Sequence, residues 1–201
     1  MSKNDTAFVI GNGVSRSDID ISLISFKGTT YGCNALYREY APDFLIAVDT
    51  KMILEISEAG YQNDHQVWTN PNRAYSRINN LNFFNPSKGW SSGPTALYLA
   101  SKHNYKRIYI LGFDYKGVNG LVNNIYAGTK NYKGASSKAT YYGNWLRQTA
   151  TVIKQNPDIQ YIRVIEDGGF IPDELKILQN LKHCSVGGFK RIFENIENDP
   201  F

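Results

Sequence analysis

Cysteine is scarce in this chain. Cys33 and Cys184 are the only two among 201 residues, far apart and in no CxxC pair, which argues against a disulfide framework and against a cysteine-based zinc site. Histidine is nearly as rare: His65, His103 and His183 show no metal-ligand spacing, and no metal site is expected. No apolar run approaches the ~20 residues that cross a bilayer. The first six residues carry no secretory hydrophobic region, so a cytoplasmic protein without a membrane span is expected. Charge of one sign is lacking too. The formal net charge of +4 favours an anionic ligand but is too small and dispersed to argue for nucleic acid.

What is present fits an ordinary globular protein. Hydrophobic residues make up 42% and charged residues 20%, enough for one domain over residues 1–201 with a sizeable core; no repeat or linker interrupts it. The organising stretch is Phe8-Val9-Ile10-Gly11-Asn12-Gly13-Val14-Ser15. A short apolar run, suited to a buried strand, breaks into a Gly-Asn-Gly turn and then a helix-like segment. Glycine permits tight or positive-φ backbone, and Asn12 tolerates a left-handed turn and carries an amide. Open α/β sheets present backbone N–H groups to phosphates with such a strand–turn–helix step.

Alternation continues along the chain. Residues 17–25 read as a short helix or turn capped by Ser17, 28–34 as a strand ending at Asn34, and 44–48 as a strand ended by Asp49. Thr50, as N-cap, opens a helix over 50–59 that stops at Gly60. Short strands are expected at 66–69 and 82–84. Ser91-Ser92-Gly93-Pro94-Thr95 starts a helix, with Pro94 at the first helical position. The best strand, 107–112, follows and leads into Phe113-Asp114-Tyr115. Residues 116–138 form a long irregular stretch, of the kind that serves as a lid. A helix over 139–155, a last strand over 159–165, a short helix near 174–181 and a mixed-charge tail from about 187 to 201 complete the chain. The expected fold is therefore α/β: a Rossmann-like domain whose mainly parallel twisted sheet is flanked by helices, with a lid-like loop near 116–138.

Asn12, Asn34 and Asp49 each follow an apolar run, and parallel sheets bind ligands beyond the carboxyl ends of their strands. Ser91, Ser92 and Gly93 add a helix N-terminus, a natural phosphate site, and Asp114 follows the strand this helix feeds. Gly11, Asn12, Gly13, Asn34, Asp49, Ser91, Ser92 and Gly93 are thus candidate nucleotide-binding residues. Asp49 has a competing use as a helix N-cap, and Arg73, Arg77 and Lys88 are candidate phosphate contacts.

With these residues placed, the chain resembles bacterial sialyltransferases of the family-42 type and the related domain family around archaeal 6-hydroxymethylpterin diphosphokinase. The resemblance rests on Gly11-Asn12-Gly13-Val14-Ser15, on Cys33-Asn34-Ala35-Leu36-Tyr37, and on the block from Ser92-Gly93 through Ile110-Leu111-Gly112-Phe113-Asp114-Tyr115. It implies that Asn12, Asn34, Ser92 and Gly93 contact the nucleotide of a CMP-sugar. Two departures stand out. Asp49 replaces an asparagine that touches the donor. Asn144, in Tyr141-Tyr142-Gly143-Asn144, replaces the histidine that serves as general base, and asparagine takes no proton at neutral pH. The catalytic candidates are accordingly Asp114, Tyr142 and Asn144.

The resemblance implies a glycosyltransferase-like protein, sialyltransferase-like in type, that binds a nucleotide-sugar donor, needs no cofactor and transfers the sugar to an acceptor. Two alternatives follow: a pyrophosphokinase-like transferase using ATP and Mg²⁺ held by Asp49 and Asp114, or a non-catalytic nucleotide-binding or structural protein that lost its base. A nucleic-acid partner is not expected.

Overall fold

A computed structural model describes residues 5–193. Eight strands form one sheet: β1 (Thr6–Ile10), β2 (Thr29–Cys33), β3 (Phe44–Ile46), β4 (Val67–Thr69), β5 (Leu81–Phe83), β6 (Arg107–Leu111), β7 (Gln160–Ile165) and β8 (Leu181–Ser185). Their order is β5-β4-β3-β2-β1-β6-β7-β8, and every pairing is parallel. The helices are α1 (Ile21–Ile24), α2 (Thr50–Glu58), α3 (Ser92–Lys102), α4 (Gly143–Gln155), α5 (Asp173–Lys176) and α6 (Val186–Phe193). This is an α/β Rossmann-like architecture.

The central strand shows why the sheet is covered on both sides. All five residues of β1 are buried, as a continuous apolar run in a parallel sheet requires. Alternate side chains then serve opposite layers. Ala7 and Val9 meet Ala96, Leu97 and Ala100 of α3 and Leu146, Ala150 and Ile153 of α4. Phe8 and Ile10 face Ile21 and Ile24 of α1 and Phe189 and Phe193 of α6. Phe8 stacks on Tyr109 with centroids 5.4 Å apart and takes the edge of Phe193 at 5.3 Å.

Several boundaries differ from expectation, each for a local reason. Residues 17–25 are not one helix capped by Ser17. The chain makes a 3-10 turn over Val14–Arg16, and α1 is capped by Asp20, whose carboxylate accepts the Ser22 N–H at 2.9 Å. Asp49, not Thr50, holds the N-cap position of α2, and its side chain makes no capping bond. Pro94 stands third in α3, because the helix begins at Ser92. Helix α4 begins at Gly143 instead of 139. Two elements went unread: β8, which includes the end of the expected 174–181 helix, and α6, which takes up residues 187–193 of the expected tail. Residues 194–201 of that tail lie outside the described residues.

The chain moves outward from β1 through β2, β3, β4 and β5, then returns to β6 on the other side of β1. Strands β1 and β6 therefore flank a topological switch point, where the connections on either side diverge and leave a crevice beyond the carboxyl ends.

Candidate functional site

A cavity of about 360 Å³ lies at that crevice, beyond the ends of β1, β2, β3 and β6 and against the start of α3. Ten of the sequence candidates line it: Gly11, Asn12, Gly13, Asn34, Asp49, Ser91, Ser92, Gly93, Asp114 and Tyr142. Asn144 does not line it. That side chain is exposed and accepts a hydrogen bond from Arg147 one turn along α4. Arg73, Arg77 and Lys88 are also absent from the lining.

The strand ends approach so closely that only glycine fits between them. A Cβ on Gly13 would lie 2.5 Å from Asp114 Oδ2 and 2.7 Å from the Gly112 carbonyl, and Gly112 itself sits at φ +65°. The turn differs from a phosphate cradle in one respect. Gly11 and Gly13 donate their N–H groups to Leu111 and Gly112 carbonyls, and those of Val14 and Ser15 go to Asn123 Oδ1 and Asp114 Oδ2. The Asn12 amide is likewise turned inward, donating to the Cys33 carbonyl at 3.1 Å. The loop shapes the cavity and offers it few free donors.

Beneath the loop lies Arg16, which sequence reading missed. It is 4% exposed, donates to the Gly11 carbonyl at 2.7 Å and reaches Asn12 Oδ1, Glu39 and the Tyr126 hydroxyl. Nothing in the Gly-Asn-Gly-Val-Ser-Arg pattern marks this arginine as buried, since an arginine in a first turn is ordinarily solvated. Asp114 holds the far side, accepting both the N–H and the hydroxyl of Ser15.

A second cluster joins three elements. Asn34, in left-handed backbone at φ 52°, accepts the Ser92 hydroxyl at 2.8 Å. Ser92 Oγ in turn accepts the Val48 N–H at 3.1 Å. The end of β2, the loop after β3 and the first turn of α3 are thereby held together. Ser91 is fixed from another direction, through its N–H to Gln148 of α4 at 3.1 Å.

Among the described residues the lining contains two carboxylates, Asp49 and Asp114, and no lysine, arginine or histidine. Its positive element is the N-terminus of α3, where the Ser92 and Gly93 amides have no intrahelical acceptor. Trp90, Phe113, Tyr142 and Trp145 supply aromatic walls. Burial pushes the Tyr142 phenol above its ordinary value, against a smaller opposing effect of its hydrogen bond with the Asn123 backbone; at neutral pH it is a proton donor, not a base. Among the described residues no group of three or more His, Cys, Asp or Glu could hold a metal ion.

The 116–138 stretch covers the cavity edge through Asn123 and Asn124 and is fastened to the body. Ile125 donates to the Asn12 carbonyl at 2.8 Å. Arg38 reaches Thr129 Oγ1 and the Lys130 carbonyl at 2.8 and 2.9 Å, and Glu55 receives Arg38, Tyr37 and Asn131. The Tyr132 hydroxyl oxygen accepts the Ala35 N–H at 3.3 Å.

No protein-family model and no curated protein matches the chain. Among solved structures it is similar to the sialyltransferase CstII from Campylobacter jejuni, determined in complex with a substrate analogue, cytidine-5'-monophosphate. The two are 16% identical, the match covers 81% of each chain, and the TM-score is 0.53. At that identity the likeness establishes a shared sialyltransferase-like fold. Among the described residues no helix is long and apolar enough to cross a membrane.

Proposed function

We propose that this chain is a glycosyltransferase-like protein that binds a nucleotide-activated sugar, a CMP-sugar by preference, and transfers the sugar to an acceptor hydroxyl. The observation that carries this reading is the cavity's electrostatic make-up at the β1/β6 switch point. It has a helix N-terminus, aromatic walls and two carboxylates and, among the described residues, no basic side chain. A single phosphodiester charge suits the half-charge of one helix end. A triphosphate would bring about four charges into a lining that already holds two carboxylates, at a cost that grows with each added charge. The fold shared with a protein solved with cytidine-5'-monophosphate supports the same choice.

In this reading Asn34, Ser92 and Gly93 hold the nucleotide end, with the Ser92–Asn34–Val48 cluster fixing their positions. Gly11, Gly13 and the Asn12 backbone supply close-packed wall. Asp49, exposed and free of any capping bond, meets hydroxyls of the ribose or the sugar. Tyr142, kept protonated by burial, donates to the phosphate oxygens as negative charge builds on the leaving group. Asn144 is outside the cavity, so the proton of the acceptor passes to Asp114. The ATP reading would make Asp49 and Asp114 ligands of a Mg²⁺ ion that also bridges the nucleotide phosphates.

Thermal unfolding with CMP, UMP, ADP and GDP, each with and without Mg²⁺, tests the proposal. A ligand at one hundred times its Kd stabilises the native state by about 2.7 kcal/mol, a rise of roughly 5–10 °C for a domain of this size. CMP is expected to give such a rise without Mg²⁺. A response confined to Mg²⁺ with an adenine nucleotide would favour the pyrophosphokinase-like alternative, and no response to any nucleotide would sink both.

A further inference from the structure

A second cavity, of about 230 Å³, adjoins the first. Among the described residues only Asp114 and Asn123 line both, so they form the wall between two separate spaces. Four charged residues line the second cavity, two of each sign: Lys116 and Arg163, Asp114 and Glu166. None of the four forms an ion pair among the described residues. Arg163 of β7 is 2% exposed. Its guanidinium donates to the carbonyls of Phe113 at 2.7 Å, Phe170 at 3.1 Å and Asp114 at 3.3 Å, and its Cζ lies 5.0 Å from the Tyr115 ring centroid. Those bonds fix the group and engage three of its five N–H donors, which leaves two for an acceptor. The Asp114 carboxylate is fixed as well, by the N–H and hydroxyl of Ser15, while Lys116 and Glu166 are exposed. Val118 and Phe170, 44% and 45% exposed, add apolar surface to the same lining.

A charge drawn away from water costs free energy unless an opposite charge meets it. Here opposite charges border one space without touching each other, and that narrows what can enter. An anion alone would face two carboxylates, and a cation alone would face a buried guanidinium. A neutral ligand would leave all four charges unpaired. A zwitterion answers both signs at once. Its carboxylate takes the two open Arg163 donors as charge-assisted hydrogen bonds, and its ammonium lies between Asp114 and Glu166. The volume falls below the ~300 Å³ at which drug-sized pockets begin, so whatever joins the two charged groups is short. Val118 and Phe170 favour an apolar group there, because covering them removes apolar surface from water.

We infer that the second cavity is a binding site for a free α-amino acid with an apolar side chain. The carboxylate sits on Arg163, the ammonium on the two carboxylates, and the side chain against Val118 and Phe170. The inference does not depend on the nucleotide reading of the first cavity, and its test contains no nucleotide, so the two can fail separately.

The test is a titration of the full chain, followed by saturation-transfer NMR, with three probes. These are L-leucine, 4-methylpentanoate, which lacks the ammonium, and 3-methylbutylamine, which lacks the carboxylate. Leucine is expected to bind, and each truncated probe to bind about tenfold more weakly or worse, the scale of a lost hydrogen bond to a charged group. Glu166→Gln and Phe170→Ala should each weaken leucine binding by about fivefold or more. Both side chains are exposed, so both variants are expected to fold, and a retained urea midpoint checks that they do. No binding of leucine, a truncated probe that binds as well as leucine, or leucine binding that neither substitution weakens would each overturn the assignment.

Discussion

Arg16 shows how much of the candidate site depends on one buried side chain. Its guanidinium ties the Gly11 carbonyl and Asn12 to Glu39 and Tyr126, joining the turn after β1 to the segment that covers it. Arg16→Ala leaves a buried carbonyl and amide without their donor, which costs about 1–3 kcal/mol per unsatisfied group. A loss of roughly 2–4 kcal/mol in urea unfolding is expected, together with loss of the CMP response. Asp114 and Asp49 should behave differently. Asp114→Asn keeps the shape but is a poor proton acceptor, so it should preserve nucleotide binding and lower sugar transfer by about 10²–10⁴-fold. A transfer rate within a few-fold of the parent would remove Asp114 from the role of base. Asp49→Asn replaces charge-assisted hydrogen bonds to the ribose or sugar hydroxyls with neutral ones. Isothermal titration should show CMP binding weakened by about two- to tenfold, and unchanged or tighter binding would remove Asp49 from the hydroxyl-binding role.

Among the elements, α6 separates what the sequence pattern reveals from what only packing decides. Its Val-Gly-Gly opening has the composition of a loop, and β8 before it mixes Leu181 with Lys182 and His183, as an edge strand does when one side is less enclosed. No local signal distinguishes such segments from irregular chain. The helix exists because Phe189 and Phe193 reach the far face of β1 and pack around Phe8 and Tyr109. Phe189→Ala should therefore cost about 3–5 kcal/mol, read as a lowered urea midpoint; a cost near zero would mean that α6 is not part of the folded core. The opposite case is the switch-point edge. Parallel pairing puts every carboxyl end on one rim, so locating the short apolar runs was enough to bring Asn12, Asn34, Asp49 and Asp114 to one place. Helix α3 was legible from its Ser-Gly-Pro start. Arg16, Arg38 and Arg163 were not legible as organising residues, because their partners lie up to 110 positions away in the chain.

At the scale of the whole molecule, the 116–138 stretch read from sequence as a lid is a strap bolted to the β2–α2 side, and its main bolt is Glu55. Burial alone would raise the Glu55 pKa, but hydrogen bonds from Tyr37, Arg38 and Asn131 outweigh it and hold the carboxyl below its ordinary value. A carboxylate with a depressed folded pKa contributes stability above its unfolded value of about 4.3, and that contribution is lost as pH falls through the folded value. Amide exchange within 116–138 should therefore quicken below about pH 4 while the sheet stays protected, and Glu55→Gln should quicken it already at neutral pH. Strap amides equally protected at both pH values would show that Glu55 is not the fastening. The strap closes one flank; on the proposed reading a nucleotide would enter along the other, where Trp90 and Trp145 line the cavity. The chain has three tryptophans, and these two line the cavity while Trp68 packs against the core. The protein thus carries its own optical gauge: a base stacking on either indole would dim its ultraviolet emission, so occupancy could be followed on the unlabelled chain in real time.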